Sequence, residues 1–416
     1  MEVSPTEQAH PAHDLAQGRW RALATVSLAV VLSLTTWFSA TAVTPELTAA
    51  WKLSGTEVAW LTNAVQLGFV AGALFASLVN LPDILKLNRL IAAAAAVAGL
   101  ANAGLLLEPG SFGAIGFRML TGMALALVYP PAMKLVSTWF VRGRGLALGA
   151  VIGALTLGSA LPHLMRAVGQ TFPWQAVVAV TSLCAIAAAA VFLRFTREGP
   201  FPFSKASFDP REIATVFRDR NLILANVGYL GHMWELYAMW AWLLAWLRSA
   251  FASDLGSATN FPSVLTFLAV AAGIPACILA GLCADRIGRT LTTAGLMAVS
   301  GTCAILVGLV YDGPTWLLCL VVLIWGFAVI ADSAQFSAAI TELANPSFVG
   351  TALSVQMGLG FGLTVVSIWL MPLLAEWLGS WRWVFIFLAP GPILGACAML
   401  ELRRRPDVAN LGNGRR

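Results

Sequence analysis

Apolar stretches of about 20 residues, separated by short polar loops, follow one another along most of the chain. A helix needs about 20 apolar residues to cross a bilayer, so each stretch predicts one membrane-spanning helix. The pattern predicts twelve of them, over residues 22–44, 57–80, 89–107, 112–137, 145–167, 174–195, 221–247, 261–283, 290–311, 315–341, 349–374 and 383–402. The predicted fold class is an all-α integral membrane protein.

The longest polar interval lies between the sixth and seventh predicted helices. It runs from Arg194 to Arg220 and contains three prolines and six Arg or Lys residues. Such composition is typical of a linker, so we predict two six-helix bundles. The predicted parts are a cytoplasmic tail at 1–20, a bundle at 21–195, a cytoplasmic linker at 196–219, a second bundle at 220–402 and a cytoplasmic tail at 403–416.

Composition and charge agree with a membrane protein. Only 11% of the residues are charged and 59% are hydrophobic, whereas soluble domains carry about 25% charged residues. Most of the 25 Lys and Arg residues fall in loops on the side of the N-terminus, and cytoplasmic loops carry such an excess. We therefore expect both ends to be cytoplasmic, in a cell (inner) membrane. We attribute the net charge of +5 to this topology and not to nucleic-acid binding.

Several classes of function lack their motifs. The chain has no Gly-x-x-x-x-Gly-Lys-Ser/Thr loop for nucleotide phosphates and no His-Glu-x-x-His run for a metal. Its six cysteines form no Cys-x-x-Cys pair, which argues against a disulfide or metal framework. We predict no enzymatic activity, no cofactor and no metal.

Two loops at equivalent positions indicate that the halves are repeats. Residues 80–89 follow the second predicted helix, and residues 281–289 follow the eighth. The second loop reads Gly281-x-x-x-Asp285-Arg286-x-Gly288-Arg289 and resembles the signature loop of the major facilitator superfamily. The first loop departs from that pattern, because Asp83 stands two positions early.

The fourth predicted helix carries a second match. Its sequence, Arg118-x-x-x-Gly122-x-Ala124-x-Ala126-x-x-x-Pro130, is similar to a pattern of the same superfamily, in which the Arg is linked to proton transfer. The resemblance covers nearly the whole chain. It implies the major facilitator fold of twelve helices in two bundles, and a secondary transporter that works by alternating access. The loop at residues 139–145 is loosely like that of small-anion carriers.

The resemblance also implies a gate on the cytoplasmic side. Gly281 is expected to permit close helix approach, and Asp285 to cap a helix or pair with an arginine across the inner surface. Together with Arg286, Gly288 and Arg289, these residues would join the two halves when that side is closed.

The seventh predicted helix combines apolar length with ionisable groups. It contains His232 and Glu235, and ionisable residues at membrane depth usually face a protein interior or a wet cavity. Glu235 lies near the predicted midplane, where it either exchanges protons during transport or stays neutral as a hydrogen-bonded link between helices. Tyr229 is a candidate polar contact. A candidate aromatic wall consists of Trp234, Tyr237 and Trp240.

Two basic residues lie within the fourth predicted helix. Arg118 is a candidate anchor for an anion, and the alternative is a structural arginine bound to backbone carbonyls. Lys134 either extends its ammonium group to the lipid headgroups or contacts an anion near the inner end.

Polar residues of other predicted helices complete the candidate site. Asp332 is the second acid at membrane depth, with Gln335 in the same polar run, and a pairing of Asp332 with Arg118 or with Lys134 is open. Three amides are candidates for hydrogen bonds to a substrate or to neighbouring helices, namely Asn63, Gln66 and Gln356.

The function that these observations favour is secondary active transport of a small polar or anionic organic solute, coupled to protons or to another gradient. The main alternative is a proton-coupled exporter of amphipathic drugs or metabolites. A third hypothesis, a receptor or assembly factor without transport, is disfavoured by the intramembrane charges. The expected partners are a small-molecule substrate, the lipid bilayer and protons. The oligomeric state is open, and a monomer fits the pattern.

Overall fold

The computed structural model describes residues 17–140, 143–169, 172–201, 210–252, 260–345, 348–409, 411–412 and 414–415. The predicted N-terminal tail up to residue 16, the middle of the predicted linker at 202–209 and two residues of the 139–145 loop lie outside the described residues. The long helices are α1 (Arg19–Leu34), α2 (Gly55–Leu78), α3 (Leu87–Leu107), α4 (Gly110–Ser137), α5 (Arg144–Val168), α6 (Trp174–Phe195), α7 (Arg220–Ala250), α8 (Phe261–Ile287), α9 (Arg289–Leu309), α10 (Thr315–Leu343), α11 (Val349–Leu378) and α12 (Val384–Arg404).

Ten helices within the described ranges are long and apolar enough to cross a membrane, namely α2 to α6 and α8 to α12. The prediction of an all-α membrane fold is confirmed, and a count of twelve spans stays a prediction. The first helix, α1, has only 16 residues. The seventh, α7, is 31 residues long, and His232 and Glu235 lie among its apolar residues.

The first helix ends at Leu34 instead of continuing to residue 44 as predicted. The hydroxyl groups of Thr35 and Thr36 donate hydrogen bonds back to the carbonyls of Leu32 and Ser33, at 2.7 and 2.8 Å. Such side-chain bonds to the backbone compete with continuation of a helix. The chain resumes in two short helices, Ser39–Ala42 and Thr44–Trp51.

The helices pack mainly within two sequential groups. In the first, α2 packs against α4, α3 against α6, and α1 against α5 and α6; in the second, α7 packs against α12, and α9 against α10 and α12. The groups meet where α2 lies against α11 and where α5 lies against α8. We call these groups the first and second halves.

The contact of α2 with α11 continues along most of the length of both helices. The side-chain nitrogen of Asn63 donates to the carbonyl of Val365 at 3.2 Å, and the rings of Phe69 and Phe361 lie 4.4 Å apart. Further along, the hydroxyl oxygens of Ser77 and Ser354 are 3.2 Å apart. Because residue numbers rise on α2 as they fall on α11, the two helices are antiparallel.

Two glycines let α2 and α4 approach to backbone contact. A Cβ atom added at Gly122 would lie 2.0 Å from the carbonyl oxygen of Val65, and one added at Gly68 would lie 2.0 Å from that of Met119. Close crossings of membrane helices use small residues in this way. Gly122, part of the pattern that begins at Arg118, therefore has a packing role.

We expect Gly122→Ala to destabilise the protein by forcing α2 away from α4. Overpacking of this kind costs typically about 1–3 kcal/mol, and here the obstacle is a carbonyl that cannot rotate aside. Gly116→Ala on the same helix is the matched control, because a Cβ there meets nothing within 4 Å and alanine favours a helix over glycine by roughly 1 kcal/mol. Thermal unfolding in detergent measures the difference. Equal midpoints for the two variants would show that the crossing is not tight.

Candidate functional site

Arg118 is fully buried in the first half, at 0% exposure. Its guanidinium donates to the carbonyl of Thr36 at 2.7 Å and to that of Leu61 at 3.2 Å. It also contacts the carbonyl of Trp37 and the side-chain oxygens of Ser39 and Asn102. These acceptors belong to the break after α1, to α2 and to α3. Arg118 therefore binds backbone groups that the end of α1 leaves without helical partners.

Lys134 pairs with an acid of its own half. The α4 helix is interrupted at Leu127 and resumes at Tyr129, which places the ammonium group of Lys134 2.6 Å from the carboxylate of Asp83. Asp83 lies in the short helix that follows α2. The sequence left open whether Asp332 pairs with Arg118 or with Lys134, and the structure shows other partners for all three side chains.

The partner of Asp332 is His232. Nδ1 of His232 lies 2.8 Å from Oδ1 of Asp332, and both side chains are at most 2% exposed. Neither Nε2 of His232 nor Oδ1 of Asp332 has a hydrogen-bond partner within the described residues, so the two side chains are close but not aligned for a hydrogen bond. Asp332 occupies the junction between the two parts of α10, Thr315–Ala331 and Ser333–Leu343. A histidine and a carboxylate are therefore buried together at a helix break.

Glu235 is anchored inside the second half. One carboxylate oxygen accepts a hydrogen bond from the hydroxyl of Ser300 at 2.6 Å, and the other accepts one from the indole nitrogen of Trp325 at 2.7 Å. Ser300 lies on α9 and Trp325 on α10, so the carboxylate links three helices. His232 and Glu235 both contact α10, as their spacing on one helix face predicts.

Tyr229 lies one turn before His232 and packs where α7 meets α11. A Cβ atom at Gly360 would lie 2.3 Å from the ring of Tyr229, and the ring of Phe336 is 6.0 Å away. Gln356, one turn from Gly360 on α11, is within 3.5 Å of the hydroxyl of Ser337, and its amide nitrogen has no partner among the described residues.

Aromatic rings from both halves meet in one group, which we call the central aromatic cluster. Its members are Trp37 and Phe38 after α1, Phe69 on α2, Tyr237 and Trp240 on α7, and Phe361 on α11. Centroid distances within the cluster range from 4.4 Å, for Phe69 and Phe361, to 6.5 Å, for Phe38 and Tyr237. The cluster fills the space where α1, α2, α7 and α11 converge.

Buried amides on α2 border this cluster. Both amide atoms of Gln66 lack a hydrogen-bond partner within the described residues, and the side chain is 0% exposed. Gln66 is one helical turn from Asn63 and from Phe69, which contact α11, so it faces the boundary between the halves. Leaving a buried polar group unpaired costs about 1–3 kcal/mol, which makes Gln66 a candidate for binding a polar partner.

A small cleft lies between the start of α2 and the end of α7. It has a volume of about 40 Å³ and is lined by Thr41 and Thr62 from the first half and by Trp242 and Arg248 from the second. Neither Gln66 nor a member of the central aromatic cluster lines it. The cleft therefore lies between the halves but apart from the cluster.

The signature loop connects α8 to α9. Gly288 has φ = 98°, which requires glycine, and it links the end of α8 to the start of α9. The expected close approach at Gly281 is wrong, because a Cβ added there would meet nothing within 4 Å. Asp285 and Arg286 are exposed.

The charged contact of this loop lies within the second half. Arg289 binds the carboxylate of Glu342 at 2.6 Å and the amide oxygen of Gln335 at 2.8 Å. The contact joins the start of α9 to the end of α10. Gln335, a candidate substrate residue from the sequence, therefore contacts the signature loop.

The sequence pattern identifies two members of the central aromatic cluster and misses the others. Tyr237 and Trp240 belong to the central aromatic cluster, whereas the indole of Trp234 donates to the carbonyl of Phe387 and faces α12. Sequence reasoning missed Trp37, Phe38, Phe69 and Phe361, because aromatic residues are ordinary in apolar helices. Their only local signal is that Trp37 and Phe38 follow a run of Ser and Thr residues.

Comparisons with known proteins agree with this architecture. The family model described as Major Facilitator Superfamily matches residues 26–363. A mutant of the nucleoside transporter NupG has a crystal structure that matches with a TM-score of 0.68 and 14% identity, over 92% of this chain and 99% of that one. At that identity the likeness shows the fold alone.

Two relatives carry names that refer to transport. The chain is 28% identical over 176 residues to the MFS-type transporter pytF of Aspergillus terreus, covering 41% of this chain and 56% of that protein. It is 24% identical over 299 residues to the niacin transporter NiaP of Acinetobacter baylyi, covering 61% of this chain and 64% of that one. The chain thus spans less than two thirds of the length of either relative.

Proposed function

Because this chain belongs to the major facilitator superfamily, whose members transport solutes and are not enzymes, we propose that it moves a small polar organic solute across a membrane by alternating access. The binding site lies between the halves, at the central aromatic cluster and Gln66. Both ends of the chain face the cytoplasm, as the distribution of Lys and Arg predicts.

The observation that carries this proposal is the buried, unpaired amide of Gln66 at the boundary between the halves. Lipid does not reach this position, and both amide atoms need hydrogen-bond partners that the surrounding helices do not supply. A polar solute that enters between the halves supplies those partners. The names of two related proteins, a niacin transporter and a nucleoside transporter, refer to solutes of this kind.

The two basic residues that favoured an anion in the sequence do not support a substrate that must be an anion. Arg118 binds backbone carbonyls, and Lys134 is paired with Asp83. Both cations that favoured an anion in the sequence are therefore engaged within the first half. The proposed substrate is defined by its polarity and hydrogen bonding, and a carboxylate on it is not required.

We place proton coupling at the pair of His232 and Asp332. Glu235 has hydrogen-bond donors on both oxygens and links three helices, which suits a structural role. His232 keeps an unpaired nitrogen and lies against the break in α10. Both side chains are buried when the halves are closed, so water would reach the pair only when the halves open.

Alternating access predicts that joining the halves stops transport. Ser77→Cys combined with Ser354→Cys, in a background without the six native cysteines, places two thiols where the hydroxyl oxygens are 3.2 Å apart. We expect oxidation to abolish solute counterflow in proteoliposomes and reduction to restore it. Each single substitution, treated with the same oxidant, is the control. Full counterflow in the oxidised double variant, with the cross-link verified, would contradict movement between α2 and α11.

The exporter of amphipathic compounds is the second candidate, and the aromatic character of the central cluster favours it. Counterflow of radiolabelled small polar solutes, compared with that of lipophilic cations, separates the two functions. We expect exchange of a small polar solute and none of a lipophilic cation. The reverse result would assign the chain to export of amphipathic compounds.

A further inference from the structure

The central aromatic cluster contains a stack of rings that crosses the boundary between the halves. The ring of Tyr237, from the second half, lies 5.7 Å from that of Trp37 with 26° between the planes. It lies 6.5 Å from the ring of Phe38 with 19° between the planes. Tyr237 therefore presents a nearly parallel face to two consecutive residues of the first half.

This stack is lost whenever the halves separate. Trp37 and Phe38 lie after α1, whereas Tyr237 lies on α7, so relative movement of the halves withdraws one ring from the other two. Faces of buried aromatic rings gain stability from offset stacking with another ring. The opened site then offers aromatic faces to which a flat ring of a solute can bind in place of Tyr237.

Hydrogen-bonding groups surround the same space. Gln66 has both a free carbonyl oxygen and a free amide nitrogen within the described residues, and Oδ1 of Asn63 is also unpaired. The indole nitrogens of Trp37 and Trp240 have no acceptor there. A primary amide on a rigid helix binds best to a group that presents a donor and an acceptor side by side.

The geometry points to a substrate with a planar aromatic or heteroaromatic ring that carries an amide-like edge, such as a carboxamide, a lactam or a pyrimidine N–H/C=O pair. Its ring stacks on Trp37 and Phe38, and its edge hydrogen-bonds to Gln66. This inference rests on the proposed transport function and narrows the class of solute. The indole donors of Trp37 and Trp240 favour further acceptor atoms on the ring.

The test uses matched probes on the purified full-length protein. Nicotinamide, benzamide, uracil and hypoxanthine each combine a ring with an amide-like edge. Cyclohexanecarboxamide keeps the amide but lacks the aromatic face, and pyridine keeps the ring but lacks the amide. We expect at least one of the first four to bind at least about tenfold more tightly than both controls in calorimetry. Absence of binding by all four, or equal binding of cyclohexanecarboxamide, would overturn the inference.

Two substitutions assign the contacts to their residues. Gln66→Leu keeps the volume but removes both amide atoms, and we expect it to weaken binding of the best probe about tenfold or more. Trp37→Leu removes the stacking face and should act similarly, whereas Trp377→Leu, at a side chain that is 75% exposed, should not. Thermal unfolding identifies any variant that fails to fold, and the comparison of probes on the unsubstituted protein does not depend on the variants.

Failure of this inference is distinguishable from failure of the proposed function. Counterflow of a non-aromatic polar solute, stopped by the cross-link between α2 and α11, would retain transport and reject the aromatic substrate. Absence of counterflow for every solute would reject transport itself.

Discussion

Arg118→Ala is expected to prevent accumulation of folded protein, or to lower its free energy of unfolding by more than about 3 kcal/mol. The guanidinium is the hydrogen-bond donor for the carbonyls of Thr36, Trp37 and Leu61. Two of these acceptors lie in the break after α1, where no helical amide can take the place of the guanidinium as donor. Hydrogen bonds to a charged group contribute about 1.5–3 kcal/mol each, and the acceptors stay buried when the arginine is lost.

The measurement is thermal unfolding in detergent together with the amount of protein recovered from membranes. Arg118→Lys should have an intermediate effect, because one ammonium group cannot reach acceptors on three sides of a planar guanidinium. Arg286→Ala, at an exposed position, is the control and should leave stability nearly unchanged. A stable Arg118→Ala protein with only a raised KM for an anionic solute would support the alternative, an anion anchor.

Asp332→Asn is expected to abolish accumulation driven by a pH gradient while exchange of the solute continues. The substitution keeps the size of the side chain but removes the negative charge that faces His232 at 2.8 Å. The imidazole of His232 then loses the carboxylate that it contacts, and the proposed proton-coupling pair is broken. Accumulation should fall at least about tenfold, whereas counterflow, which needs no net proton movement, should stay within about twofold of the unsubstituted protein.

The controls for this prediction separate the pair from its surroundings. His232→Gln should behave like Asp332→Asn, and Glu235→Gln should keep gradient-driven accumulation. Tyr229, whose ring centroid lies 6.2 Å from that of His232, Cys277 and Tyr129 are further titratable side chains nearby, and Tyr229→Phe, Cys277→Ala and Tyr129→Phe should likewise keep it. Coupling that survives in both Asp332→Asn and His232→Gln would exclude the pair, and its loss in Glu235→Gln would return the role to Glu235.

Hydrophobic patterns along the chain predict the membrane helices well. They do not predict the features that depend on side chains from other helices. The hydropathy of residues 22–44 predicts one continuous helix, yet α1 ends at Leu34, where the hydroxyl of Thr36 binds the carbonyl of Ser33 and Arg118 binds the carbonyl of Thr36. The motif places a glycine at Gly288, but only the structure shows the positive φ that demands it there. A Cβ added at Gly281 would meet nothing within 4 Å, so packing does not require glycine there, and the family pattern alone does not show this.

For the candidate site, too, the sequence predicts which residues matter but not which residues they contact. The sequence identifies His232, Glu235 and Asp332 as ionisable groups at membrane depth, because the cost of burying them is evident in any apolar segment. It does not identify their partners. A rotation of one residue turns a helix face by about 100°, so helix packing decides that Asp332 meets His232 and that Glu235 meets Ser300 and Trp325.

Taken by itself, the sequence determines that this protein is an all-α membrane protein with charges placed where lipid would not tolerate them, and it predicts two related halves. These properties depend on composition and on spacing along the chain. A long apolar segment is more stable in the bilayer than in water, and it must form a helix there to satisfy its backbone groups. The tertiary structure alone decides that Arg118 binds the backbone, that Lys134 binds Asp83, and that aromatic rings of both halves meet in one cluster. Such contacts join residues far apart in sequence, and only the packing of the helices brings them together.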